Sequence, residues 1–182
     1  MQNKNQTTEN RESFIARLHK FNASKSDIKD IMTAYDNAKS AHRGQKRDSG
    51  ERYFEHPREG VLIILDELNW YNKAAIIAFL LHDVGEDTPF LGNVEKDYDE
   101  FIDTATYRLR KQFGKEVAKL VILLTKPSVD GKKFTNKEEA MNFYIEQLAK
   151  NPKALLLKMV DRLHNLRNLE NNTVEKTEKT LR

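Results

Sequence analysis

The pair His82-Asp83, followed closely by Glu86 and Asp87, ends the most apolar run of the chain, Ala74 to Leu81. A neutral imidazole beside an ionised carboxylate is a mixed nitrogen and oxygen donor pair for a borderline divalent metal. Further carboxylates nearby could orient a water. If a helix begun at Asn72 runs on past Leu81, His82 and Glu86 are four residues apart and Asp83 and Glu86 three, so they share a face. A helix-end doublet needs partners elsewhere in the chain. His56 precedes Pro57, which suits the first position of a helix, so its imidazole can be aimed inward where a turn becomes a helix. Alone, it reads as a histidine near a cap. Asp161 shares one helical face with Asn165 and Asn168, within an otherwise apolar pattern. An acid there is either salt-bridged to an arginine or a ligand.

Just ahead of His56 lies a polar loop, Arg43 to Arg52, holding Arg43, Lys46, Arg47 and Arg52 with Gly44, Ser49 and Gly50. It reads as a solvated turn or as a loop that grips phosphate and base, because guanidinium groups bind phosphate bidentately and stack on planar rings.

The elements that must position these groups are helical. Phe14, Ile15, Leu18 and Phe21 form one stripe, and Ile28, Ile31, Met32, Tyr35 and Ala38 form another that runs to about His42. Ser24 or Ser26 can cap the second. Val61 to Leu68 follows His56-Pro57, and Ala74 to Leu81, apolar on every face, predicts the central buried helix. Asn93 to Lys111 reads as one or two surface helices. Phe113-Gly114 precedes a helix with Val117, Leu120, Val121 and Leu124, and Lys126 to Gly131 is a loop. Thr135 or Asn136 caps a helix closed by Asn151-Pro152, and the last motif-bearing helix runs from Ala154 to about Asn171. No strand-like alternation and no repeat occurs, so the fold class is all-α.

The 182 residues predict a single domain over 1–182, with residues 1–10 frayed and the start of a further helix after Thr173. Net charge is only +3, which does not point to nucleic acid. The absence of cysteine excludes disulfides, thiolate metal sites and a cysteine nucleophile. No apolar run nears the ~20 residues that span a bilayer, and the N-terminus lacks a signal-peptide core, so a cytoplasmic protein without membrane partners is expected.

Taken together, His56, His82-Asp83 and Asp161 resemble the ligand order of the HD superfamily of metal-dependent phosphohydrolases. Gln45 to Pro57 is similar to the R-K-S-G-E-P-Y-x-x-H-P segment of RelA/SpoT-type alarmone hydrolase domains. Leu81 to Thr88 resembles their L-H-D-V-V-E-D-T, and Lys158 to Arg167 their K-L-A-D-R-L-H-N-M-R. Phe113 to Val117 and Thr125-Lys126 match in order, and the similarity runs from Ala34 to Leu169. The resemblance implies an HD-domain helical bundle with one divalent metal, usually manganese. It also implies hydrolysis of the 3′-pyrophosphate of guanosine tetra- or pentaphosphate. By motif, His56, His82, Asp83 and Asp161 would hold the metal, and Glu86 and Asp87 would position and deprotonate the attacking water. Arg47 would stack on or bond to the base, while Ser49 and Asn165 line the nucleotide pocket. Lys46 and Arg43, to which the family motif assigns no role, would meet phosphate electrostatically. His42, in an A-H-x-G-Q segment, and His164 take supporting roles.

Departures from the pattern bear on substrate. Asp48 stands where the family has Lys, beside the implied guanine and phosphate pocket. It repels polyphosphate, accepts from a base edge or pairs with Arg52. Gly85 replaces Val, which loosens a helix end, and Pro89 to Gln112 is longer than usual, a candidate lid or homo-oligomer contact. Alternatives to the alarmone hydrolase are therefore a phosphohydrolase of another purine nucleotide or dinucleotide phosphate, and a silent nucleotide sensor.

Overall fold

The structure, a computed structural model, describes residues 10–92, 97–127 and 133–169. Its helices are α1 (Arg11–Lys20), α2 (Lys25–Ala41), α3 (Glu55–Leu62), α4 (Lys73–Leu81), α5 (Val84–Asp87), α6 (Tyr98–Phe113), α7 (Lys115–Leu124), α8 (Lys137–Ala149) and α9 (Pro152–Arg167). A π-helical turn, Ile63–Glu67, extends α3. No strand occurs among the described residues, only an isolated antiparallel bridge between Lys46 and Arg52. The all-α bundle is thus the architecture observed. None of these helices is long and apolar enough to cross a membrane. The frayed N-terminus and the helix after Thr173 fall outside the described residues, apart from Asn10, as does most of the loop after Lys126.

The helices begin where side-chain acceptors meet free N–H groups. Ser24, Asn72, Asn136 and Asn151 accept from the amides of Asp27, Ala75, Glu139 and Ala154. Each such cap stabilises by about 1 kcal/mol. Asn151 and Pro152 at the first helical position explain why α9 starts two residues before Ala154. The centre of the bundle is α4: Ala75 to Leu81 are all buried, and α2, α3, α7 and α9 pack around it. A helix surrounded in this way has no solvent face, which is why its sequence shows no amphipathic stripe.

One close approach fixes α3 against α4. A Cβ added at Gly60 would lie 1.9 Å from Phe79 Cε1. The same Phe79 ring stands 6.5 Å from the His56 ring and 4.8 Å from that of His82. Gly60→Ala is therefore expected to destabilise the fold by about 1–3 kcal/mol, the cost of overpacking. A shifted denaturant midpoint checks it, and an unchanged midpoint would mean that this contact yields freely.

The continuous helix over the doublet is not what forms. α4 ends at Leu81, His82 and Asp83 make a turn, and α5 starts at Val84. Asp83 keeps a helical φ but its ψ of −13° opens the turn. The one-face spacing argument therefore does not place these groups; the turn does.

Candidate active site

His82 reaches the site because α4 delivers it there. Its Nδ1 lies 2.7 Å from the Phe79 carbonyl. A carbonyl only accepts, so Nδ1 carries a proton and Nε2 is the nitrogen left to face a cation. That Nε2 is buried and makes no hydrogen bond, although Asp83 Oδ1 is 3.0 Å away and Asp161 Oδ1 3.9 Å away. His56, buried at the start of α3, turns its Nε2 to within 3.1 Å of Asp161 Oδ1 and 3.5 Å of Asp83 Oδ2. Donor atoms of His56, His82 and Asp161 all lie within 4.8 Å of one another. Imidazole lone pairs and carboxylates facing one another form a donor set that a divalent metal fits.

The carboxylates are held ionised. Burial opposes charge on Asp83, but His82 and His56 outweigh it and lower its pKa. Asp161, likewise buried, is held well below the ordinary range by His56, His82 and Lys158. In the absence of a cation His82 pays the converse: burial disfavours its charge, yet Asp83 and Asp161 lift its pKa to about 10. Lys158 Nζ sits 2.7 Å from Asp161 Oδ2 and Asn165 Nδ2 donates to Asp161 Oδ1 at 2.8 Å, so every acceptor on that acid has a use. The salt bridge is to Lys158 rather than to an arginine, and the same acid faces the two imidazoles.

The cluster forms the floor of a cavity of about 370 Å³. Glu86 and Asp87 stand on one wall. Glu86 Oε1 accepts the Lys126 amide at 2.6 Å, and burial raises its pKa. Asp87 Oδ2 accepts from the Tyr53 hydroxyl at 2.6 Å; that hydroxyl is 3.2 Å from Asp83 Oδ2 and has a single proton to give. Lys46, Arg47, Lys126, Lys158 and Arg162 add positive charge to the lining, with Asp48 among them. Arg47 Nη2 donates to Asn165 Oδ1 at 2.8 Å, while its Nη1 is buried without a hydrogen-bond partner among the described residues. The loop is closed rather than slack: Arg47 N donates to Glu51 O, Gly50 N to Arg47 O and Tyr53 N to Gln45 O. Gly50 takes the positive φ, +81°, that its tip requires.

Residues 34–182 match the HD-domain family. The chain belongs to it. This HD domain is 40% identical over 147 residues to the bifunctional (p)ppGpp synthase/hydrolase SpoT of Escherichia coli K12, an alignment covering 78% of the chain and 18% of SpoT. It is 39% identical over 142 residues to a guanosine-3′,5′-bis(diphosphate) 3′-pyrophosphohydrolase of Aquifex aeolicus, covering 77% and 18% respectively. It is also 38% identical over 159 residues to a GTP pyrophosphokinase of Streptomyces antibioticus, covering 86% and 17%. The chain thus spans less than a fifth of the length of these relatives. A solved structure of a metazoan ortholog of SpoT that hydrolyses ppGpp superposes with a TM-score of 0.62 at 28% identity, over 82% of this chain and 78% of the other.

Within the HD domain, His56, Asp83, Glu86, Asp87, Asp161, Lys46, Arg47, Asp48 and Asn165 line the one cavity, and His82 lies beneath them. Ser49 does not join them. It is exposed at the loop tip, where its hydroxyl accepts from Glu51 N at 3.4 Å. Arg43 is exposed and absent from the lining too. Arg52 bonds to Glu55. His42 is buried, its Nδ1 2.6 Å from Gln45 Oε1 and its ring stacked 4.6 Å from that of Tyr53. Gly85 is not a loosened helix end: Phe101 of α6 comes within 3.1 Å of where a Cβ would be, so the ring occupies the space that a valine would fill. The described part of the longer segment is mainly α6, packed on α7; none of its described residues lines the cavity. Tyr53 and Lys126 were legible only as letters of the matching motifs, since nothing in their spacing announced a role.

Proposed function

We propose that this HD domain removes the 3′-pyrophosphate of guanosine tetra- or pentaphosphate, releasing GDP or GTP and pyrophosphate, with manganese as the divalent ion held by His56, His82, Asp83 and Asp161. The observation that carries the reading is the convergence of two imidazoles and two ionised carboxylates at a cavity whose lining also bears Glu86, Asp87 and five cations. A divalent ion there would lower the pKa of water and polarise a phosphoryl oxygen. Glu86, with one oxygen engaged by Lys126, is placed to take the proton of the attacking water. Asp87 is aimed by Tyr53. Arg47, with an unused N–H pair, and Lys46 meet the nucleotide, while Lys126, Lys158 and Arg162 offset phosphate charge.

Asp48 favours a second reading, hydrolysis of another purine nucleotide or a dinucleotide phosphate, because it places a carboxylate among the cavity's cations. Incubation of manganese-loaded protein with guanosine tetraphosphate tests both. GDP and pyrophosphate are the expected products; turnover of other nucleotides alone would select the second reading, and binding without turnover of any would select a sensor. Asp48→Lys is expected to raise kcat/KM on the tetraphosphate a few-fold, the scale of about 1 kcal/mol for an exposed charge contact. Unchanged or lower activity would remove Asp48 from the substrate site.

A further inference from the structure

Behind the cluster, on the side of His56 away from the cavity, a second imidazole and a carboxylate continue the line. His56 Nδ1 lies 2.8 Å from His164 Nδ1, and His164 Nε2 lies 2.8 Å from Glu59 Oε2. His56 and His164 are both buried, whereas Glu59 is part exposed and lines a separate cavity between α3 and α9. We propose that Glu59 and His164 are positioning residues that fix His56 as the tautomer protonated at Nδ1, so that its Nε2 lone pair is presented to the cation site. The inference rests on the reading of His56 as a ligand given above.

The argument follows from which atoms can donate. An ionised carboxylate only accepts, so His164 Nε2 carries the proton in its contact with Glu59. Asn168 Nδ2 is 3.5 Å from the same nitrogen but donates to the His164 carbonyl at 2.9 Å, and does not compete for that role. Where that is the one proton His164 carries, its Nδ1 keeps a lone pair. The 2.8 Å contact between the two Nδ1 atoms is then a hydrogen bond only if His56 donates. His56 Nε2 is left bare, facing Asp161 Oδ1 and Asp83 Oδ2 at 3.1 and 3.5 Å. His82 is oriented by a shorter route, its Nδ1–H held by the Phe79 carbonyl. Two independent anchors thus aim two Nε2 atoms at one point. The opposite arrangement, with Nε2–H of His56 directed at Asp161, would require His164 to donate from Nδ1 and therefore to be an imidazolium.

Ring nitrogen shifts of His56 in metal-free protein, together with manganese titration, test this. The expected wild-type result is a proton on Nδ1 and none on Nε2. His164→Leu is expected to weaken manganese binding by about 10- to 100-fold, the usual cost of losing an outer partner of a ligand. His164→Gln offers an oxygen to His56 and an N–H to Glu59, and is expected to recover binding to within a few-fold. A folded His164→Leu protein that binds manganese as the wild type does would overturn the proposal. So would a wild-type His56 protonated at Nε2, a result that needs no variant to fold. If wild-type protein takes up no manganese while His56 shows the expected tautomer, the ligand reading fails and the relay stands.

Discussion

Asp83→Ala is expected to remove both the divalent ion and the turnover. Asp83 is the one acid whose two oxygens address both imidazoles, Oδ1 at 3.0 Å from His82 Nε2 and Oδ2 at 3.5 Å from His56 Nε2. Without it, two neutral nitrogens and Asp161 remain, and Asp161 is already shared with Lys158. The charge that offsets the ion's own is halved. Manganese affinity should fall on the order of a thousandfold, the equivalent of the several kcal/mol that a metal's charge interactions supply. Turnover should fall at least as far. The fold should survive, because Asp83 lies in a turn, its side chain makes no helix cap, and the neighbouring core is built by α4. A second consequence separates loss of a ligand from general damage. His82 stands at a pKa of about 10 because Asp83 and Asp161 outweigh its burial. With Asp83 gone, that pKa should drop in metal-free protein, visible in the ring's titration. Full manganese stoichiometry in the variant would remove Asp83 from the ligand set.

How much of this was legible in the sequence depended on what each residue's role required. Amphipathic stripes located most helices, because burial of one face is a periodic demand: α2 ends at Ala41, one residue short of the expected His42, and Asn72 and Asn136 cap as their types suggest. The π-turn at Ile63–Glu67 left no signal, since its extra residue changes the ladder and not the apolar pattern. The four residues of the cluster were found through motif order. Their spacing along the chain says nothing about convergence, and the helical-face argument for His82, Asp83 and Glu86 failed at the turn that Asp83 opens. Gly85 read as a weakness because its neighbour in space, Phe101, is sixteen residues away and invisible to local reasoning. Ser49 read as a pocket residue because the motif places it beside Arg47, but it sits with Gly50 at the exposed tip of the closed loop, and Lys46, Arg47 and Asp48 are the residues of that loop that line the cavity.

Glu86→Gln is expected to keep the ion and lose the reaction. Glu86 takes no part in the donor cluster of His56, His82 and Asp161, and its Oε1 accepts from the Lys126 amide, a bond that the glutamine oxygen can keep. What glutamine cannot do is accept a proton from water. Loss of a positioned general base lowers kcat by roughly 10²- to 10⁴-fold. The pH dependence follows from the direction of the Glu86 shift. Burial raises its pKa above the ordinary value, while Lys126 and Lys158 act against that rise. The base works only when ionised, so activity is present above the raised pKa and declines as pH falls through it. The acid limb of kcat/KM should therefore lie above the ~4.3 of an unperturbed glutamate, and the residual rate of Glu86→Gln should lack that limb. Stability runs the other way. A group whose folded pKa is raised stabilises the fold below its unfolded pKa, and that contribution is lost as pH rises through the folded value. At neutral pH the ionised Glu86 is therefore a burden on the metal-free fold, and Glu86→Gln should raise its Tm while abolishing turnover. A variant with a lower Tm and unaltered turnover would show that Glu86 is a structural acceptor for Lys126 and that the proton goes elsewhere, with Asp87 the next group to test.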